Sequence, residues 1–155
     1  MRTIVSGDSA YDRFVAGDAG ALDARACRGF DLFRTRARCT SCHAGPLLSD
    51  EQFHNTGVAW RSGTLTDEGR SRITRVRADR GAFKTPTLRD VARTAPYMHD
   101  GSLATLDAVV EFYAAGGTPN PELDREIVRL DLSVAEGRDL AAFLRSLAGR
   151  VRAGW

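Results

Sequence analysis

A chain of 155 residues with a formal net charge of +2 is the size of one domain. It is too mildly basic to argue for a nucleic-acid partner. No run of about 18 apolar residues occurs, so no helix of the sequence is built to span a membrane.

Residues 1–22 are polar and Gly/Asp-rich and read as a tail or linker, leaving 23–155 as the domain. Over 23–38 the apolar positions Ala26, Phe30, Leu32 and Phe33 suit an amphipathic helix. Gly29 on that helix would let another helix approach closely. Cys27 is an odd cysteine, read as a small buried hydrophobe, with an intermolecular disulfide as the alternative. Residues 46–80 have no sustained period and read as a long loop. Thr85-Pro86 looks like the N-cap and first position of a short helix to about Val91. Thr105 caps a helix that buries Leu106, Val109, Val110 and Tyr113 and ends at Gly116-Gly117. Ser133-Val134-Ala135-Glu136 is a capping box, followed by Leu140, Phe143, Leu144 and Leu147 at i, i+3, i+4 and i+7. Its partner is expected to be the Gly29 helix. Strand signals are weak, and the expected fold is all-α, with a long loop over a cofactor.

The cofactor is indicated by Cys39-Thr40-Ser41-Cys42-His43, a C-x-x-C-H pentapeptide of the c-type haem attachment pattern. Two thiols add to the two vinyl groups of the porphyrin, and the histidine that follows meets the iron. A structural zinc would want a second Cys/His pair at ligand spacing, whereas His54 and His99 are isolated. A redox dithiol would want a βαβ setting, which this chain lacks. One covalent haem c is therefore expected. Haem is attached outside the cytoplasm in bacteria, so a periplasmic location is expected. No apolar leader is visible in Met1–Asp8, which reads as a processed or truncated chain.

An ordered series of motifs accompanies the pentapeptide. These are Gly29–Phe33, Phe53-His54-Asn55-Thr56-Gly57-Val58, Phe83-Lys84-Thr85-Pro86-Thr87-Leu88-Arg89, Thr94-Ala95-Pro96-Tyr97-Met98-His99-Asp100-Gly101-Ser102, Phe112–Gly117 and Leu140–Leu147. In this order they resemble the C-terminal haem domain of the bacterial di-haem cytochrome c peroxidase and MauG family, from about Cys27 to Gly149.

For the second axial ligand of iron, Tyr113 and Met98 compete, with an open or water-filled site as a third case. Thioether ligation is common in electron-transfer cytochromes and favours Met98. The family resemblance favours Tyr113, which occupies the position where MauG-like proteins place a tyrosine ligand. Pro86 resembles the proline of small cytochromes c whose carbonyl accepts from the ligating histidine; a plain helix-start proline is the alternative. Arg89 is a candidate partner of a haem propionate, or else part of a surface ion pair. The resemblance also implies calcium on the main-chain oxygens of Thr94 and Pro96, with a further ligand from another haem domain. His54 and His99 are candidate proton relays or packed polar residues.

Only one C-x-x-C-H occurs, whereas the family's enzymes carry two haem domains. The resemblance thus implies an electron-transfer domain that relays or stores oxidising equivalents for a peroxidatic haem on another domain or chain. It resembles part of a hydrogen-peroxide-dependent oxidoreductase and is not expected to be peroxidatic by itself. The alternatives are a stand-alone monohaem electron carrier and a monohaem peroxidase with a displaceable sixth ligand.

Overall fold

The computed structural model describes residues 6–150; residues 1–5 of the expected tail and 151–155 of the expected domain lie outside the described residues. Among the described residues there are five α-helices: α1 (Ala10–Val15), α2 (Ala24–Arg34), α3 (Ser71–Thr74), α4 (Leu106–Ala114) and α5 (Val134–Ser146). Asp23 caps α2 by accepting from the Ala26 N–H at 2.8 Å. Ser133 and Glu136 close the expected capping box on α5. Thr105 caps α4, whose chain leaves through Gly116 and Gly117, both with positive φ.

The α2–α5 crossing organises the molecule, and Gly29 makes it possible. A Cβ at Gly29 would lie 2.0 Å from the Asp139 carbonyl oxygen and 2.9 Å from Phe143 Cβ. The two backbones therefore touch, and Phe33 and Phe143 pack beside the contact with ring centroids 5.0 Å apart. Arg28 forks onto the buried Asp139 with bonds of 2.7 and 3.0 Å. Leu32, Leu106, Val110, Leu140 and Leu144 extend this core toward α4.

Three expectations are corrected here. Residues 6–22 are not a loose tail: Ser9 and Asp12 form a capping box for α1, and Ser9 is buried. Tyr11 meets Phe30 and Phe143 edge-on at 5.4 and 5.6 Å. One helix of six residues is too short to produce a periodic signal. Next to it, Gly7 and Arg150 exchange backbone hydrogen bonds of 3.2 and 2.7 Å.

The fold is helix-rich but not strictly all-α. Among the described residues, four two-residue strands pair in two antiparallel ladders, β1 (Phe53–His54) with β4 (Phe83–Lys84) and β2 (Trp60–Arg61) with β3 (Thr64–Leu65). Strands this short leave no alternation to read. The helix expected from Thr85 to Val91 does not form. The Thr85 N–H donates to Gln52 O and its carbonyl accepts from Ser49 Oγ, both at 2.8 Å. These bonds tie Thr85 outside any helix, and only a 3₁₀ turn follows at Val91–Arg93. Among the described residues, no helix is long and apolar enough to cross a membrane.

Candidate haem site

The pentapeptide follows α2 after residues 35–38. Arg38 takes a left-handed conformation (φ 55°) and starts a 3₁₀ turn over Cys39–Ser41. The N–H groups of Cys42 and His43 both donate to Cys39 O, at 3.3 and 2.9 Å. This single helical turn brings Cys39, Cys42 and His43 to one wall of a cavity of about 430 Å³. Burial pushes the Cys39 thiol up to about 12 and the Cys42 thiol up to about 11. Burial also lowers the His43 pKa, outweighing the hydrogen bond that favours its charged form. The site thus presents two neutral thiols and a neutral imidazole, the states from which thioether formation and metal ligation start.

His43 is oriented by Leu48. Its Nδ1 lies 2.8 Å from the Leu48 carbonyl oxygen, so Nδ1 carries the proton and Nε2 is left as the ligating atom. A turn closed by the Leu48 N–H on Gly45 O, with Leu48 itself at φ 51°, carries that carbonyl back to the ring. This corrects the expectation for Pro86, which lines the cavity without being the acceptor.

Both candidates for the second ligand line the same cavity. Tyr113 comes from the buried side of α4; burial, then the Cys42 and Cys39 thiols, push its phenol up to about 12 against the Thr56 hydroxyl. Met98 sits in a turn with φ 70°. Thr94 and Pro96, the residues implied for calcium, also line the cavity. His99 stacks on Phe83 with centroids 3.6 Å apart.

Arg89 does not face this cavity. Its guanidinium forks onto Asp12 with two bonds of 3.0 Å, and Nε donates to Pro46 O at 2.6 Å. It therefore anchors α1 to the loop after the haem motif, and the propionate expectation is corrected accordingly. Cys27 is half-buried with its thiol 3.8 Å from Leu22 O.

Three residues of the site had gone unremarked in the sequence: Leu48, Asp50 and Asp124. His54 lies between the two carboxylates, with Nδ1 2.6 Å from Asp124 Oδ2 and Nε2 2.9 Å from Asp50 Oδ2. Among the described residues, Cys42, Asp50 and His54 are the group whose potential metal-donor atoms all lie within 4.8 Å. The four-residue spacing of Asp50 and His54 was a readable hint, whereas nothing local points to Asp124.

The cavity size falls in the ordinary range for cofactor sites, roughly 300–1,000 Å³. Its walls are largely aliphatic, with Val109, Val110, Leu140 and Leu144 among them. Two thiols beside a histidine, with a phenol and a thioether on the same cavity, suit a porphyrin held by covalent and axial bonds.

No protein-family model matches the chain. Over 147 residues, 95% of this chain, it is 43% identical to the methylamine utilization protein MauG of Methylorubrum extorquens, covering 41% of that protein. The chain belongs to the MauG and di-haem cytochrome c peroxidase family. It is also 39% identical to the cytochrome-c peroxidase IdrP1 of Denitromonas iodatirespirans, over 96% of this chain and 47% of that protein. The crystal structure of a MauG-like protein associated with microbial copper homeostasis superposes with a TM-score of 0.82 at 36% identity, covering 92% of this chain and 52% of that one. The chain thus spans less than half the length of these curated relatives and matches their C-terminal half. Haem c is the cofactor this membership supports.

Proposed function

We propose that this domain binds one haem c through Cys39, Cys42 and His43, with Tyr113 as the second axial ligand. In this reading it relays or stores oxidising equivalents for a peroxidatic haem on another domain or chain. When bound, haem supplies one-electron chemistry at an iron whose potential follows its axial ligands. The observation that carries the reading is the juxtaposition of His43 and Tyr113 on one apolar cavity, with Nδ1 of His43 already engaged by Leu48. Two protein ligands leave no vacant position for peroxide, so turnover would require an open face elsewhere. A phenolate ligand stabilises ferric iron and argues against an ordinary high-potential carrier. Calcium on the Thr94 and Pro96 main-chain oxygens, completed by the partner domain, belongs to the same reading, as does a periplasmic location.

A second reading rests on Met98, which lines the same cavity: ligation by its thioether would make the domain a monohaem electron carrier. The test is spectroscopic. Tyr113→Phe should change the ferric spectrum and admit cyanide, whereas Met98→Leu should leave six-coordination intact. Loss of six-coordination in the methionine variant alone would establish the carrier reading. Peroxide reduction at a useful rate by the unmodified protein alone would overturn both in favour of a monohaem peroxidase.

A further inference from the structure

We propose that His54 is a redox-linked proton site, its imidazole clamped between Asp50 and Asp124 beside Cys42 and holding a proton more tightly when the bound haem is reduced. The inference rests on the haem reading above and deepens it.

The geometry argues for this role directly. Both ring nitrogens of His54 face carboxylate oxygens, at 2.6 and 2.9 Å. Ionised carboxylates only accept, and a neutral imidazole donates from one nitrogen alone. Both contacts are satisfied together by the imidazolium. Burial opposes the charge, yet the hydrogen bonds to Asp124 and Asp50 raise the pKa overall. Asp50 and Asp124 are themselves held below the usual carboxylate range: burial pushes each upward, but backbone N–H groups and His54 outweigh it.

The triad is built into the haem wall. The Asp50 N–H donates to Cys42 O at 2.8 Å, and His54 lines the cavity. The segment bearing Asp124 is pinned to β1, since the Asp124 N–H donates to Asn55 O at 3.0 Å. The other charged or titratable neighbours are few. Cys42 Sγ lies within 4.8 Å of donor atoms of Asp50 and His54, and His43 feels the His54 charge. The Glu126 N–H donates to Asp124 Oδ1 at 2.9 Å, and Arg125 acts on Asp124 from outside. On β4, Lys84 is turned to Glu51 at 2.8 Å. Thr85 adds a neutral hydroxyl to Asp50. Among the described residues no second cation bonds the two carboxylates, and protonation of His54 decides the sign of the local change.

With His54 charged the triad carries one net negative charge; without the proton it carries two. If a bound haem were reduced by an external one-electron donor, His54 Nε2 would take up one proton from water and donate it in a hydrogen bond to Asp50. Linkage is reciprocal: whatever tightens the proton on reduction must ease reduction when the proton is bound. Side-chain exposures of 19% for His54, 23% for Asp50 and 25% for Asp124 leave the proton a path to solvent while limiting screening.

The test is a spectroelectrochemical titration of the haem-loaded protein from about pH 5 to about pH 9, the range in which histidine titrates. The midpoint potential should fall with rising pH, and reduction in weakly buffered solution should take up protons. His54→Gln should remove the slope in that range, and Asp50→Asn should move it to lower pH. A c-type haem spectrum with a flat potential and no proton uptake in the unmodified protein overturns this inference alone. The same slope retained in His54→Gln also overturns it. Absence of the c-type spectrum overturns the haem reading, and this inference with it.

Discussion

The Nδ1 of His43 and the carbonyl oxygen of Leu48 stand 2.8 Å apart, and this contact fixes which nitrogen of the imidazole is left to bind metal. Leu48 holds the carbonyl in place because its own side chain is buried at 4% exposure. The left-handed turn that aims the carbonyl would otherwise be costly for leucine. Leu48→Ala should lose about 2–5 kcal/mol of stability through the cavity it leaves. Because the carbonyl then loses its anchor, the iron–histidine stretching frequency of the ferrous protein should shift. A large stability loss with an unmoved frequency would count against Leu48 as the orienting residue.

Gly29 offers a cleaner test of the architecture. A Cβ there would overlap the Asp139 carbonyl at 2.0 Å, and backbone cannot swing away as a side chain can. Gly29→Ala should cost about 1–3 kcal/mol through overpacking, read as a lower urea midpoint. An unchanged midpoint would mean that α2 and α5 do not cross in contact here.

Arg89→Gln should leave covalent haem content unchanged and cost about 1–3 kcal/mol, the range for hydrogen bonds to charged groups. A pH signature accompanies it. Burial opposes the charge on Asp12, but its bonds from Arg89 and Ser9 hold its pKa below the ordinary 3.8. That contribution is complete above pH 3.8 and fades as pH falls through the folded-state value. Urea midpoints measured from neutral to acid pH should therefore fall less steeply in the variant. Loss of haem with stability intact would restore the propionate role.

Asp100 sets a second acid limit, in the turn that carries Met98. Burial works against its charge, yet the Ser102 side chain and N–H, and then Arg61, bring its pKa down to about 2. Its contribution is present above pH 3.8 and is lost as pH falls through about 2. Asp100→Asn should remove that part of the acid sensitivity. Thermal melts at successive pH values would detect it; identical acid profiles would show that the turn does not depend on the carboxylate.

The long-period features were legible in the sequence because they are local. The Ser133–Glu136 box, the Thr105 cap and the stripe from Leu140 to Leu147 are each defined within a few residues. The pentapeptide was legible for the same reason, being one helical turn. What escaped was set by contacts distant in sequence. Arg89 finds Asp12 across 77 positions, and His54 finds Asp124 across 70. The true acceptor of His43 is only five residues away, but it is a backbone carbonyl aimed by a turn, which residue types do not advertise. Pro86 read as a helix start because its own residue pair favours one; the bonds of Thr85 to Gln52 and Ser49 override that preference.

The paired backbones of Gly7 and Arg150 bear on how such a domain can be joined to others. Both ends of the described fold emerge from one corner of the molecule. A neighbouring domain tethered at either end would start from the same place, so gene fusions in either order would explore overlapping volumes. A short flexible linker could equally close the two ends and allow new termini to be opened in a surface loop.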